Sequence, residues 1–381
     1  MRKVFSGARL FDGERMIEDS ALVVEDGAIV AVTPFAARPL DAESCDLRGG
    51  VLAPGLIDWQ VNGGGGVLFN ETPTVAGIRA IVEAHRGDGT TSLLPTLITD
   101  APDKLEAALA AAAEAHRSVP GALGIHVEGP FIDIRRKGAH PLAFIRAMTR
   151  QDADRLIAAK AGIMVVTLAP AAVSNDLIAR LAQNGIIVSI GHSEATAEEA
   201  QAAFKAGASA VTHLYNAMSQ LGHRQPGLVG AALADRGIVC GFIADGHHVH
   251  EAAARAAFNA KGVDGLALIS DAMPPAAGGA KAFYLEGRRV TQVGTKLTLD
   301  DGTLAGAAIT LMDAVRYATQ TLGIELTDAL RMATLTPARL LRVDDNIGRF
   351  KPGYRADLVH LADDLSVRGV WIGGEASARD S

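Results

Sequence analysis

The stretch Leu123-Gly124-Ile125-His126-Val127-Glu128 is a short apolar run that ends on a carboxylate, and three later runs end in a comparable way. Residues 186–191 lead into His192, residues 210–212 into His213, and residues 266–270 into Asp271. In a parallel β/α barrel the C-terminal strand ends converge on one face, so residues distant in sequence become neighbours. A carboxylate with two imidazoles makes a three-ligand set for a divalent metal and leaves a position open for water. The remaining carboxylate, Asp271, can then carry protons.

Working outward from these four, short apolar runs bounded by turn residues occur at 51–57, 92–97, 123–127, 164–169, 186–190, 210–214, 239–244 and 266–270. Alanine-rich stretches of helical periodicity lie between most of them, at 102–116, 175–183, 196–205 and 250–260. That alternation predicts an α/β fold, a (β/α)8 TIM-like barrel.

The ends of the chain read differently. Residues 3–10, 21–24, 28–32 and 44–47 look like short strands separated by Asp12-Gly13 and Asp26-Gly27, and 357–361 and 367–372 resume the pattern before Gly373-Gly374. Helical stretches at 311–322 and 328–333 precede the second set. Neither tail alone carries enough apolar residues for a core. The expectation is one small β-sandwich domain built from both termini, 1–50 and 345–381, on a barrel spanning 51–344. A further β-rich segment, 283–303, has turn signals at Glu286-Gly287 and Asp301-Gly302 and is expected over the barrel mouth.

With 49% hydrophobic residues in 381, the chain can bury a large core. A net charge of −7 without basic runs argues against a nucleic-acid partner, and no run reaches membrane-spanning length, so no membrane partner is expected either. Two cysteines, Cys45 and Cys240, are too few for a disulfide framework. Together with the absence of a leader-like apolar stretch after Met1, they point to the cytoplasm. Gly63-Gly64-Gly65-Gly66 lacks the Lys-Ser/Thr ending of a P-loop and reads as a flexible loop at the first strand's mouth. Ser193 beside His192 has no nucleophile-elbow pattern around it.

A lone strand-end histidine is more often hydrogen-bonded scaffolding than a ligand. The weight here comes from four such residues at the same end of four runs, forming a sensible ligand and acid/base set.

The surrounding strings are more specific. Gly124-Ile125-His126-Val127-Glu128-Gly129-Pro130-Phe131, Lys137-Gly138-Ala139-His140, Gly191-His192-Ser193, Thr212-His213-Leu214-Tyr215-Asn216-Ala217-Met218, Ala244-Asp245-Gly246-His247-His248-Val249 and Ser270-Asp271-Ala272-Met273 follow one another in order. This resembles the N-acetylglucosamine-6-phosphate deacetylases of the amidohydrolase superfamily, over nearly the whole chain. The resemblance implies Glu128, His192 and His213 as metal ligands and Asp271 as acid/base, the residues that strand-end reading selects. It also implies His140 as a second catalytic group stabilising the oxyanion. Substrate contacts would come from Ala139, His140, Asn216, Ala217, Arg224 and His248, with Leu304, Ala305, Gly306 and Ala307 at the pocket wall. His126 is assigned a supporting place, and His247 and His250 are read as exposed helix-entry residues.

Many superfamily members carry a His-x-His pair after the first barrel strand, where this chain has Gln60-Val61-Asn62. Carboxamides are weak ligands for a zinc-like ion, so the expectation is one divalent metal ion per subunit, Zn²⁺ first and other divalent transition metals as alternatives. A weak second metal near Gln60 and Asn62 is left open. The resemblance implies hydrolysis of N-acetyl-D-glucosamine 6-phosphate to D-glucosamine 6-phosphate and acetate, in a homodimer. The alternatives are a related amidohydrolase acting on N-acetylgalactosamine 6-phosphate or a cyclic amide and, more distantly, a non-catalytic barrel.

Overall fold

The computed structural model describes residues 1–279, 282–285 and 287–377. At its centre eight strands lie side by side in chain order: β1 (Leu56–Val61), β2 (Thr90–Ile98), β3 (Gly124–Glu128), β4 (Ile163–Leu168), β5 (Ile187–Ile190), β6 (Ala210–Val211), β7 (Val239–Ile243) and β8 (Leu266–Ile269). Every neighbouring pair is parallel. Helices α1 (Val75–Gly87), α2 (Pro102–Ser118), α3 (Arg150–Ala158), α4 (Asn175–Gln183), α5 (Ala197–Lys205), α6 (Gly227–Ala234), α7 (Glu251–Lys261) and α8 (Leu311–Gln320) follow the strands in alternation. The barrel expected from the sequence is therefore present.

Its interior is packed tightly enough to demand glycine at one strand position. A Cβ on Gly241 of β7 would lie 2.6 Å from the ring of Trp59 on β1, which is itself fully buried. The seam between β8 and β1 is closed by individual bonds rather than a regular ladder. Asp271 N–H donates to the Gln60 carbonyl at 3.1 Å, Asn62 N–H donates to the Ala272 carbonyl at 2.9 Å, and the Asp58 carboxylate accepts Ser270 N–H at 3.2 and 3.3 Å. Burial pushes the Asp58 carboxyl up to about 7.

One predicted strand is corrected. The run at 51–57 is two strands: Val51–Pro54 pairs antiparallel with Leu358–Leu361 and parallel with Arg9–Phe11, and only from Leu56 does the chain enter the barrel. Gly55 makes the crossing, where a Cβ would sit 2.1 Å from Thr91 Oγ1. Both halves are fully buried, so no polar residue marks the break.

The terminal segments build two facing sheets. One has the order Ala28–Pro34, Ser20–Glu25, Arg2–Ser6, Glu43–Asp46; the other has Glu375–Ala376, Val367–Ile372, Leu358–Leu361, Val51–Pro54, Arg9–Phe11, Met16–Ile17. Phe5, Leu22 and Val24 from the first pack against Leu10, Leu52 and Leu358 from the second. Residues 378–381 of the expected C-terminal portion lie outside the described residues.

Strands Ala282–Leu285, Arg288–Val293, Lys296–Leu299 and Leu304–Ala307 form an antiparallel sheet. Leu285, Val290, Leu297 and Leu299 pack on Leu68, Ile98 and Met273, which seats the sheet over the barrel mouth as expected. Of the Glu286-Gly287 turn signal, Glu286 lies outside the described residues. The four-glycine run is not a loose loop: Gly63–Gly64 pairs with Val67–Leu68, and Gly66 N–H donates to the Pro274 carbonyl at 2.9 Å. Among the described residues no helix is long and apolar enough to cross a membrane.

Candidate active site

Glu128 is the last residue of β3, while His192, His213 and Asp271 lie just beyond β5, β6 and β8, so the strand ends bring all four into one cavity of about 360 Å³. Glu128 Oε1 lies 3.1 Å from His192 Nε2 and 3.0 Å from His213 Nε2, and the two nitrogens are 3.0 Å apart. Each of the three residues is at most 5% exposed.

The donor set fits a small divalent cation. Ligand atoms around a tetrahedral ion with bonds of about 2.0–2.1 Å are separated by about 3.3 Å, close to these spacings. His192 Nδ1–H donates to the Arg136 carbonyl at 2.8 Å, so its Nε2 presents a lone pair to the cluster. Burial opposes ionisation of Glu128, but the adjoining His192 and His213 outweigh it and hold the carboxyl well below its ordinary range.

His140 also offers a nitrogen within ligand reach of Glu128 and His192. Its surroundings give it another role. Thr99 N–H and the Thr99 hydroxyl, at 3.3 and 2.7 Å, both direct protons at His140 Nδ1, which leaves the ring hydrogen on Nε2. Burial first, then the neighbouring His192, keeps the ring neutral. His140 is thus a buried N–H donor beside the cluster.

Asp271 faces the same space. Its Oδ1 accepts from Asn62 Nδ2 at 2.6 Å and from Gln60 Nε2 at 3.1 Å. Burial, followed by repulsion from Glu128, pushes its carboxyl up to about 6. The structure therefore puts Gln60 between the two carboxylates, with Asn62 against Asp271.

The other end of the cavity holds His248, whose Nδ1–H donates to the fully buried Asp245 carboxylate at 2.7 Å, leaving Nε2 as the free ring nitrogen. Ala217 turns through φ 48°, and its N–H meets no protein acceptor among the described residues. Asn216 lines the wall, but its Nδ2 is committed to the His213 and Leu214 carbonyls, each at 3.2 Å. Ala139 and Gly138 line the side nearest His140.

Three expected contacts do not reach the cavity. Leu304 and Gly306 line it, whereas Ala305 and Ala307 are buried on the opposite face of the same strand, as the pleat alternates. Arg224 is exposed in the loop before α6 and does not line its own chain's cavity. His126 sits deeper in the barrel, bonded to Thr167 Oγ1 at 2.7 Å and apart from the ligand cluster. Arg135 and Arg136, absent from the sequence reading, both line the cavity while paired with Asp133 and Glu194. Two adjacent arginines ahead of Lys137-Gly138-Ala139-His140 were the available signal.

The profile of the family described as "Amidohydrolase family" matches residues 51–376. An N-acetylgalactosamine-6-phosphate deacetylase of Shewanella sp. (strain ANA-3) is 42% identical over 98% of this chain and 95% of its own. The chain belongs to the amidohydrolase family. An N-acetylglucosamine-6-phosphate deacetylase of Haemophilus influenzae is 35% identical over 94% of this chain and 95% of its own. The crystal structure of N-acetylglucosamine-6-phosphate deacetylase from Pasteurella multocida superposes with a TM-score of 0.96 at 36% identity, covering 100% of both chains. This amidohydrolase therefore groups with deacetylases that cleave an amide bond, in a metal-dependent family for which Glu128, His192 and His213 form a candidate site.

Proposed function

We propose that the chain hydrolyses N-acetyl-D-glucosamine 6-phosphate to D-glucosamine 6-phosphate and acetate, with one Zn²⁺ held by Glu128, His192 and His213. The observation that carries this reading is the 3.0–3.1 Å cluster of Glu128, His192 and His213 beside a buried carboxylate, Asp271, in one cavity. When bound, the cation supplies polarisation of the amide carbonyl and a lowered pKa for water, which an unreactive amide needs. Asp271 takes the water's proton as its oxygen bonds to the carbonyl carbon. His140 Nε2–H is the donor available to the oxygen that gains negative charge. Asp271 then returns the proton to the departing nitrogen, the C–N bond breaks, and acetate and the amine leave.

The phosphate is assigned to the end formed by Ala217 N–H and His248, with Asn216 and Ala139 shaping the walls beside Leu304 and Gly306. Arg224 reaches this end from a second subunit of a homodimer, a reading supported by its exposure in its own chain. Two unpaired cysteines suit a reducing cytoplasm.

A second reading, deacetylation of N-acetylgalactosamine 6-phosphate, is favoured by the 42% identity to the Shewanella deacetylase. The test is acetate release from both sugar phosphates and their unphosphorylated forms, with elemental analysis of the purified protein. About one zinc per chain and a higher kcat/KM for the glucosamine derivative are expected. A preference for the galactosamine epimer replaces the first reading with the second, and two tightly held ions refute the single-metal site. Arg224→Ala should raise KM about ten- to a hundredfold for phosphorylated substrate only. An equal loss with the unphosphorylated sugar refutes the phosphate assignment.

A further inference from the structure

Gln60 and Asn62 stand where the superfamily's pair of histidines is expected, and their amides are shut off from solvent. Gln60 is 0% and Asn62 1% exposed. Gln60 Nε2 lies 3.2 Å from Glu128 Oε2 and 3.1 Å from Asp271 Oδ1, bridging the two carboxylates, while Asn62 Nδ2 lies 2.6 Å from the same Asp271 oxygen. The amide oxygens, Gln60 Oε1 and Asn62 Oδ1, are buried without protein partners. Both side chains therefore leave acceptors unsatisfied while aiming donors at acid groups. A carboxylate can only accept while ionised, which settles which end of each amide faces it.

We infer that Gln60 and Asn62 are positioning residues that clamp Asp271 through Oδ1 and reserve Oδ2 as the oxygen that exchanges the proton. Among the described residues Oδ2 has no protein hydrogen bond, whereas Oδ1 has two. Two neutral N–H donors stabilise a pair of close carboxylates without adding a cation, so Asp271 stays free to take and give a proton. The same arrangement explains why carboxamides suit this position in a chain with one three-ligand cluster. A second cation would need the amide oxygens turned inward, with both amide NH₂ groups then facing away from Asp271.

This inference rests on the amide-hydrolase reading for its substrate, so the wild-type enzyme is first matched to whichever amide it turns over. Failure of both acetylated sugar phosphates counts against that reading alone. Gln60→Met and Asn62→Leu remove the donors at similar volume. Each is expected to lower kcat about ten- to a hundredfold, the scale of a lost hydrogen bond to a charged group, with KM within about threefold and zinc content unchanged. Because donors favour the ionised carboxylate, their removal should also move the acidic limb of the kcat profile to higher pH. In an Asp271→Asn background the same substitutions should cost little more, since they act through Asp271. Unchanged kcat, an additive loss in that background, or loss of zinc in step with kcat overturns the clamp. If a leucine or methionine variant does not fold, Gln60→Ala and Asn62→Ala provide the second pair; each removes the donor at smaller volume and should give the same kcat-selective loss with zinc retained.

Discussion

Asp271 adopts a left-handed backbone with φ 49°, and so do His192 at 46° and His213 at 31°. None is glycine, so each carries strain of about 1–3 kcal/mol that the surrounding fold must hold. Asp271→Asn should keep the fold and the metal yet lose about two to four orders of magnitude in kcat, since both proton transfers depend on that carboxylate. Near-normal turnover would remove it from the mechanism. Only ionised Asp271 can accept a proton, and burial followed by Glu128 raises it to about 6. A bound cation lowers that value, so kcat should decline on acidification with its limb at or below about pH 6. A profile flat to pH 4 contradicts this. His192→Ala should lower zinc content as well as rate, measured by elemental analysis; full zinc occupancy would exclude it as a ligand. The convergence of Glu128, His192, His213 and Asp271 on one cavity was legible because residue type and strand-end position coincide. The left-handed turns were not, because nothing in His or Asp requires them. Nor could the string Leu304-Ala305-Gly306-Ala307 show which alternate pair faces the cavity.

At the scale of elements, the stretches read as helical at 102–116, 175–183 and 196–205 begin within one residue of α2, α4 and α5. Thr196 caps α5 by accepting Glu199 N–H at 3.2 Å, and the Glu199 carboxylate accepts Thr196 N–H at 2.8 Å in return. Thr196→Ala is expected to cost about 1 kcal/mol in a denaturant melt while metal content and kcat stay at wild type. A loss of zinc would mean that the cap also steadies His192, only four residues earlier. Strand starts were harder. Residues 51–57 form one apolar run although Gly55 divides them between two sheets, because burial on both faces erases the alternation that reports a strand's surroundings. The pair Arg135-Arg136 was passed over for a related reason: adjacent charges read as solvated surface, and only the folded chain turns them toward a cavity.

For the molecule as a whole, the sandwich and barrel share backbone. Val51–Pro54 is a central strand of one terminal sheet, and after Gly55 it becomes β1 of the barrel. Phe5, fully buried, packs edge-on against Trp371 with ring centroids 5.2 Å apart. Phe5→Ala should cost about 3–5 kcal/mol, and calorimetry should record one transition at a lower temperature because the shared strand couples both parts. Two separated transitions would show that they melt independently. The covering sheet over the cavity has a different relation to the ring. Its return strand ends beside its starting point: Ala307 N–H donates to the Asp271 carbonyl at 2.9 Å, and Met273 N–H donates to the Ala307 carbonyl at 3.0 Å. The excursion from 273 to 307 is thus a detour with its two feet pinned together next to Asp271. Lengthening such a closed detour adds only about 0.6 kcal/mol of closure entropy per doubling. The outer part of this sheet can therefore change in length, by insertion or exchange, while its two feet beside Asp271 stay as they are.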